Sequence, residues 1–237
     1  MLNETFYLDG IDARSVGIRL QKPIKFSEAV PIVEARTISG RNGDLIWETG
    51  SYENRSGSAS CFCLQRDVEK AISSAGRFLM GKKGYRRLET SDDPDHYWMA
   101  RVKNSPQIAM RVRKLSPFDI DFDCKPQRFL KDGENSVLFA SSGFSILNQY
   151  GQTALPLITL YGQGSGWLTV GKTTITIKAI DGTLCLDSET QNAYNNNGNQ
   201  NLNINAPVFP VLADGESVIA WGGDVERVEI IPRWWEL

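Results

Sequence analysis

Trp167-Leu168-Thr169-Val170-Gly171-Lys172-Thr173-Thr174-Ile175-Thr176-Ile177-Lys178 decides how the second half of this 237-residue chain is read. On both sides of Gly171-Lys172 the residues are rich in β-branched side chains and alternate in polarity, and no helical period survives. Two such runs around a glycine-containing dipeptide predict a tight hairpin. The same pattern extends outward to residues 137–140, 157–161, 184–187, 208–211, 217–221 and 225–231. Gly, Asn and Asp turns, such as Asp214-Gly215, separate these runs. About eight short strands with this punctuation predict an antiparallel β-sandwich.

Three features of this half invite a functional reading. Gly162-x-Gly164-x-Gly166 precedes a strand instead of a helix, so it lacks the context of a dinucleotide-binding fingerprint and reads as a bulge or tight turn. Eight of the fourteen residues from Asn192 to Asn205 are Asn, with no long apolar run, and the stretch reads as a solvated loop. Trp167, Trp221, Trp234 and Trp235 all fall here, and aromatic rings beside Asn-rich loops are what saccharide sites use for stacking. Trp167, Trp221 and Trp235 are the candidate glycan contacts under that reading. Neighbouring Trp234 and Trp235 point to opposite faces if they share a strand.

The first half reads as strands with one helix. Residues 5–8, Asp9-Gly10 and residues 16–20 suggest a hairpin with a long turn. Residues 32–38 and 45–47 flank Gly40-Arg41-Asn42-Gly43-Asp44, and Asn-Gly between two β-rich runs predicts a hairpin. A further strand covers residues 58–64. Val68, Ala71, Ile72, Ala75, Phe78 and Leu79 then recur at helical spacing, predicting a helix over about 66–80 that ends at a left-handed Gly81. Strands are expected at 85–88, 97–103 and 108–115, with Ser91-Asp92-Asp93-Pro94-Asp95 as a turn. Residues 118–134, bracketed by Pro117 and Pro126, read as the join between domains 1–130 and 131–237.

Composition sets the wider bounds. The chain is 41% hydrophobic and 23% charged, which excludes collagen, coiled coil and wholesale disorder. No run approaches the ~18 apolar residues of a membrane span, so no membrane insertion is expected. Met1-Leu2-Asn3-Glu4 lacks the pattern of a signal peptide. Cys61, Cys63, Cys124 and Cys185 are too few for a disulfide scaffold and suggest reduced thiols from cytoplasmic synthesis. The net charge of −2 divides unevenly: 20 Lys+Arg against 17 Asp+Glu up to Lys125, then 6 against 11. Such asymmetry suggests that the halves face different partners.

Catalysis finds little support. Asp119, Asp121 and Asp123 share one face of a strand, but neighbours there stand roughly 7 Å apart, which suits a solvated face better than a metal site or a glycosidase pair. His96 is the only histidine, so a zinc enzyme's usual ligand set cannot be built, and its place beside acidic residues at a hairpin tip suggests solvent. Cys61-x-Cys63 reads as two small core side chains. The stretch 66–114 carries 12 Lys+Arg against 6 acids, with Lys82, Lys83, Arg86 and Arg87 clustered and Arg111 and Arg113 on one strand face. Without exposed aromatics between them these read as a solvated face or charged interface before a phosphate-binding one. No catalytic, cofactor-binding or metal-binding residue is assigned.

The order of several short motifs resembles the distal tail protein family of long non-contractile-tailed bacteriophages. These are the opening Phe6-Tyr7-Leu8-Asp9-Gly10-Ile11-Asp12 with Val16-Gly17-Ile18, and Ser39-Gly40-Arg41-Asn42-Gly43-Asp44-Leu45. To them are added the helix, Phe122-Asp123-Cys124-Lys125-Pro126, and the ending Val228-Glu229-Ile230-Ile231-Pro232-Arg233-Trp234-Trp235. The resemblance implies a mainly β protein with one helix, made of an amino-terminal β-barrel or sandwich-like ring domain and a carboxy-terminal galectin-like β-sandwich. It also implies a homo-hexameric ring in the virion tail tip, joined to the tail tube protein and a tail-tip protein, able to carry a receptor-binding protein, with DNA passing through without specific binding. No enzyme activity and no cofactor are implied. Arg41, Asn42, Gly43 and Asp44, at the hairpin tip, are the candidate subunit contacts. The alternative is a carbohydrate-binding module for a bacterial surface glycan.

Overall fold

A computed structural model describes residues 4–63, 68–104 and 117–237. The chain divides into two compact units, Met1–Arg128 and Phe129–Glu236. Both are dominated by antiparallel strands, and the described residues contain one α-helix.

The first unit holds β1 (Phe6–Leu8), β2 (Ile11–Asp12), β3 (Ile18–Leu20), β4 (Lys25–Phe26), β5 (Pro31–Thr37), β6 (Asp44–Tyr52), β7 (Arg55–Cys63), α1 (Val68–Met80), β8 (Arg86–Thr90) and β9 (His96–Val102). It also holds most of β10 (Pro117–Leu130). The main sheet runs β2-β1-β8-β9-β10-β7-β3, with β4 added on β7. Burial alternates along β7, β8 and the first half of β10, so every second side chain enters one core. Phe6, Phe122, Ile120, Leu88 and Trp98 fill that core, and α1 contributes Ala75, Phe78 and Leu79. Phe6 meets Phe122 edge-on at 5.8 Å.

Several details depart from the sequence reading. Asp9 and Gly10 both have positive φ, the signature of a two-residue primed turn, and they connect β1 to β2. β3 instead pairs with β7. Helix α1 ends at Met80, yet the left-handed residue is Gly84 and not Gly81, whose N–H continues the helical pattern onto the Arg77 carbonyl. Gly43 has φ of 79°, but it closes a longer loop containing Gly40 at 83°, so Asn42-Gly43 is no two-residue turn. The expected strand at 108–115 and the side chains of Val68 and Ala71 lie outside the described residues.

In the second unit lie β11 (Val137–Phe139), β12 (Phe144–Asn148), β13 (Leu157–Val170), β14 (Thr173–Asp187), β15 (Asn192–Asn195), β16 (Gly198–Asn199), β17 (Ile204–Asn205), β18 (Gly215–Ile231) and β19 (Trp235–Glu236). One sheet, β11-β18-β13-β14-β15-β16, is doubled over on itself. β12 pairs with the first part of β18, and β11 pairs with Val228–Ile230 near its end. Residues 157–164 of β13 pair with 180–187 of β14, whereas 166–170 pair with 173–177. Inward side chains from both halves (Leu160, Leu186 and Ile230 from one, Leu168, Ile175 and Trp221 from the other) meet in a single core.

Runs expected as separate short strands are therefore long strands bent in the middle. Glycines make the bend possible. A β-carbon at Gly162 would run into the Asp224 carbonyl, and one at Gly223, where φ is 75°, would stand 2.5 Å from the Ser165 carbonyl. The register slips between Gly164 and Gly166, where the Ser165 N–H donates to the Asp224 carboxylate at 2.9 Å. The glycine triplet is thus a bulge. Residues 208–211 form no strand; the nearest pairing is the bridge between Ala154 and Leu212. The Asn-rich stretch is more ordered than a solvated loop. Asn192 Oδ1 accepts from the side chains of Asn199 and Asn201, and Asn201 Oδ1 accepts from the Ala193 N–H. Amide side chains supply both donors and acceptors, so Asn can knit a hairpin without apolar packing.

Candidate functional site

The element least satisfied by its own unit is the β5–β6 ribbon. It forms a separate two-stranded sheet and pairs with no other described strand. Every residue of β5, and all of β6 except half-buried Tyr52, is exposed. The pairing Thr37↔Asp44, Ala35↔Ile46 and Val33↔Glu48 places Val33, Ala35 and Ile46 on one face. Arg36↔Leu45 and Glu34↔Trp47 define the other face. With Thr49, these four side chains line a shallow depression. Trp47 is 70% exposed and Ile46 62% exposed.

An isolated two-stranded ribbon is marginally stable in water, and this one offers bulky apolar groups on both faces and backbone groups along both edges. Its tip carries Arg41, Asn42, Gly43 and Asp44, and the Thr37 hydroxyl donates to the Asp44 carboxylate at 2.7 Å. Sequence reasoning singled out the tip and missed the shaft. The missed signal is that apolar residues occupy consecutive positions, Ile32-Val33 and Leu45-Ile46-Trp47, so neither face can be the solvent face.

Elsewhere, several of the charged groups singled out in the sequence are held in internal pairs. Asp9 accepts from Lys82 and from buried Arg86, each at 2.9 Å. Burial would raise its carboxyl, but these two partners hold it below the usual range. Arg87 pairs with Glu89 at 2.7 Å and lies 3.9 Å over the Tyr97 ring. Arg111 and Arg113 fall outside the described residues. Asp119, Asp121 and Asp123 do share one face of β10, opposite Ser60, Ser58 and Ser56 of β7. Asp123 is bound by Arg101 at 2.7 Å and by Asn54, and no three metal-ligating side chains converge among the described residues.

His96 is not at a solvated tip. It is half-buried at the start of β9, with Nδ1 2.7 Å from Asp93, and Arg128 donates to the same carboxylate. Burial would raise the Asp93 carboxyl, yet the bonds from His96 and Arg128 lower it. The four cysteines are free; burial pushes the Cys61 and Cys124 thiols up to about 12. The three candidate tryptophans do not form one platform. Trp167 is 41% exposed, Trp221 is buried in the core, and half-buried Trp235 packs at the core edge with Nε1 donating to the Thr153 carbonyl. Among the described residues no helix is long and apolar enough to cross a membrane.

A bent-sheet sandwich following a β unit with one described helix and a free-standing ribbon defines a mainly β protein of two antiparallel units. The same architecture is found in the crystal structure of the Dit (gp 19.1) protein of SPP1, described there as a paradigm of the hub adsorption apparatus in phages that infect Gram-positive hosts. The two superpose with a TM-score of 0.76 over 97% of this chain and 98% of that one, at 13% sequence identity. No protein-family profile matches the chain. No curated protein matches it either.

Proposed function

We propose that this protein is the distal tail hub of a long non-contractile-tailed bacteriophage. In this reading six copies close into a ring through the first unit, with the β5–β6 ribbon, including Arg41–Asp44, laid on the neighbouring copy. The ring joins the tail tube protein to a tail-tip protein, can carry a receptor-binding protein, and leaves a channel through which DNA passes without sequence readout. The protein is made in the bacterial cytoplasm and resides in the virion; its role is structural, not catalytic. The observation that carries this reading is the likeness in fold to a phage hub protein over 97% of this chain and 98% of that one. The ribbon supports it independently, because a closed ring needs heterologous contacts and this element needs a partner.

Native mass spectrometry and sedimentation of the full chain test the proposal. A species of six times 26.4 kDa is expected. Ile46→Asp with Trp47→Asp should leave the fold intact, since both side chains are exposed, and should shift the mass to one copy. A wild-type chain that stays monomeric at high concentration, or a double variant that assembles undiminished, would overturn the ring.

A further inference from the structure

The sheet of the second unit ends on one side at β12, and that edge is unprotected. The first part of β18 has β13 on its other side, so Phe144–Asn148 is the last strand there. Among the described residues, the backbone of Phe144–Leu147 forms no hydrogen bond outside its ladder with β18. Soluble proteins blunt such edges with charge, proline or a bulge. Here residues 135–171 contain no Asp, Glu, Lys or Arg, β12 contains no Pro, and its pairing with β18 runs without a register shift. The core is open at the same place. Phe144 and Ile146 lie opposite buried Ile219 and Ser217, on the inward side of the strand. The Phe144 ring stands 5.7 Å from that of buried Phe139, yet Phe144 is 48% exposed. On the outward side Leu147 is 62% exposed.

We infer that this edge receives one strand of another protein, an extended and uncharged segment as long as β12 with a basic residue at the end beside Asn148. A row of unpaired N–H and C=O groups is complementary to another strand, and main-chain pairing of this kind gives affinity while alternate side chains give specificity. The incoming strand's inward side chains cover Phe144, and its outward ones cover Leu147. A charged side chain between them would be desolvated without a partner. Asp214 and Glu216 flank the Asn148 end, and among the described residues no cation pairs with either. They favour a basic residue just beyond the paired segment. A second copy fits less well, because residues 129–237 carry 5 Lys+Arg against 11 Asp+Glu and like-charged units repel. The inference is independent of the hub reading, since it concerns one edge of the second unit alone.

Hydrogen–deuterium exchange on the full-length protein tests it, with an N-acetylated, C-amidated peptide of alternating Thr and Val that carries one Lys at each end. At millimolar concentration the peptide should slow exchange across Phe144–Leu147 about fivefold or more. Exchanging both Lys for Glu should weaken binding several-fold, and N-methylating every Thr and Val should abolish it. Leu147→Asp should weaken binding about tenfold even though the new carboxylate attracts Lys, because it breaks the apolar cover. Leu202→Asp, beside β17 at the other edge of that part of the sheet, should leave binding unchanged. Thermal melts of each variant separate lost binding from lost folding. No protection at Phe144–Leu147, or protection that survives Leu147→Asp in a folded protein, would overturn the edge site. Equal binding of the Lys and Glu peptides would overturn the basic end. Protection present without peptide and lost on dilution would give the edge to a second copy and overturn the foreign strand.

Discussion

At the scale of single residues, Arg233 shows how a strained position is held. Among the described residues it is one of three non-glycine residues with positive φ, at 58°. Its guanidinium donates to Asp187 at 2.7 Å, and its own N–H donates to the Gly133 carbonyl at 2.8 Å. Gly133 leaves the space, because a β-carbon there would collide with the Trp234 backbone. Burial would raise the Asp187 carboxyl, but the bonds and charge of Arg233 more than offset it and leave the pKa lowered. A folded-state value below the unfolded one means that the pair stabilises the fold above about pH 4, and that this stability is lost as pH falls through the folded value. Asp187→Asn is therefore expected to cost about 1–3 kcal/mol at pH 7. It should also flatten the fall in urea midpoint as pH drops below about 4, measured by far-ultraviolet circular dichroism. None of this could be read from Pro232-Arg233-Trp234-Trp235 alone, because the partner lies 46 positions away.

At the scale of elements, local alternation was a sound guide wherever a strand had one wet and one dry face. β7, β8 and β9 carry that pattern, as does the turn at Gly171. It misled where strands bend. The Gly162–Gly166 and Gly222–Gly223 segments interrupt alternation, so β13 and β18 read as two strands each. β15 and β16 escaped notice because amide side chains, and not apolar ones, specify them. The ribbon was half legible: its hairpin showed in the sequence, while its solitude did not, since exposure depends on what the rest of the chain covers. The bend offers the sharper test. Gly223→Ala places a side chain at φ of 75° and against the Ser165 carbonyl, two penalties that together should cost about 2–4 kcal/mol. Gly198→Ala, also at positive φ but with open space around it, should cost about 1 kcal/mol. Urea denaturation of both variants compares them, and equal losses would mean that close strand approach adds nothing to the bend.

At the scale of the whole molecule, each unit has its own closed core, and the division falls inside β10, between Arg128 and Phe129. Turn-rich Lys131–Glu134 looks in the sequence like the place to cut, but it belongs to the second unit. Gly133 accepts from Arg233, and the neighbouring Leu130 N–H donates to the Trp234 carbonyl at 3.0 Å. Residues 117–124, by contrast, pair with β7. A cut at 128/129 should therefore yield two pieces that each unfold cooperatively, whereas a cut after Asp132 takes Leu130 and its bond to Trp234 from the second piece and should lower its melting temperature. The free ribbon lies in the first piece, and with it the unpartnered strand edges and exposed Trp47. Residues 129–237 carry 5 Lys+Arg against 11 Asp+Glu, so copies of this piece repel one another weakly. Sedimentation velocity of residues 1–128 should show association that rises with concentration, while residues 129–237 stay monomeric. Association of the second piece with a monomeric first piece would move ring closure to the sandwich and leave the ribbon for a different protein of the tail.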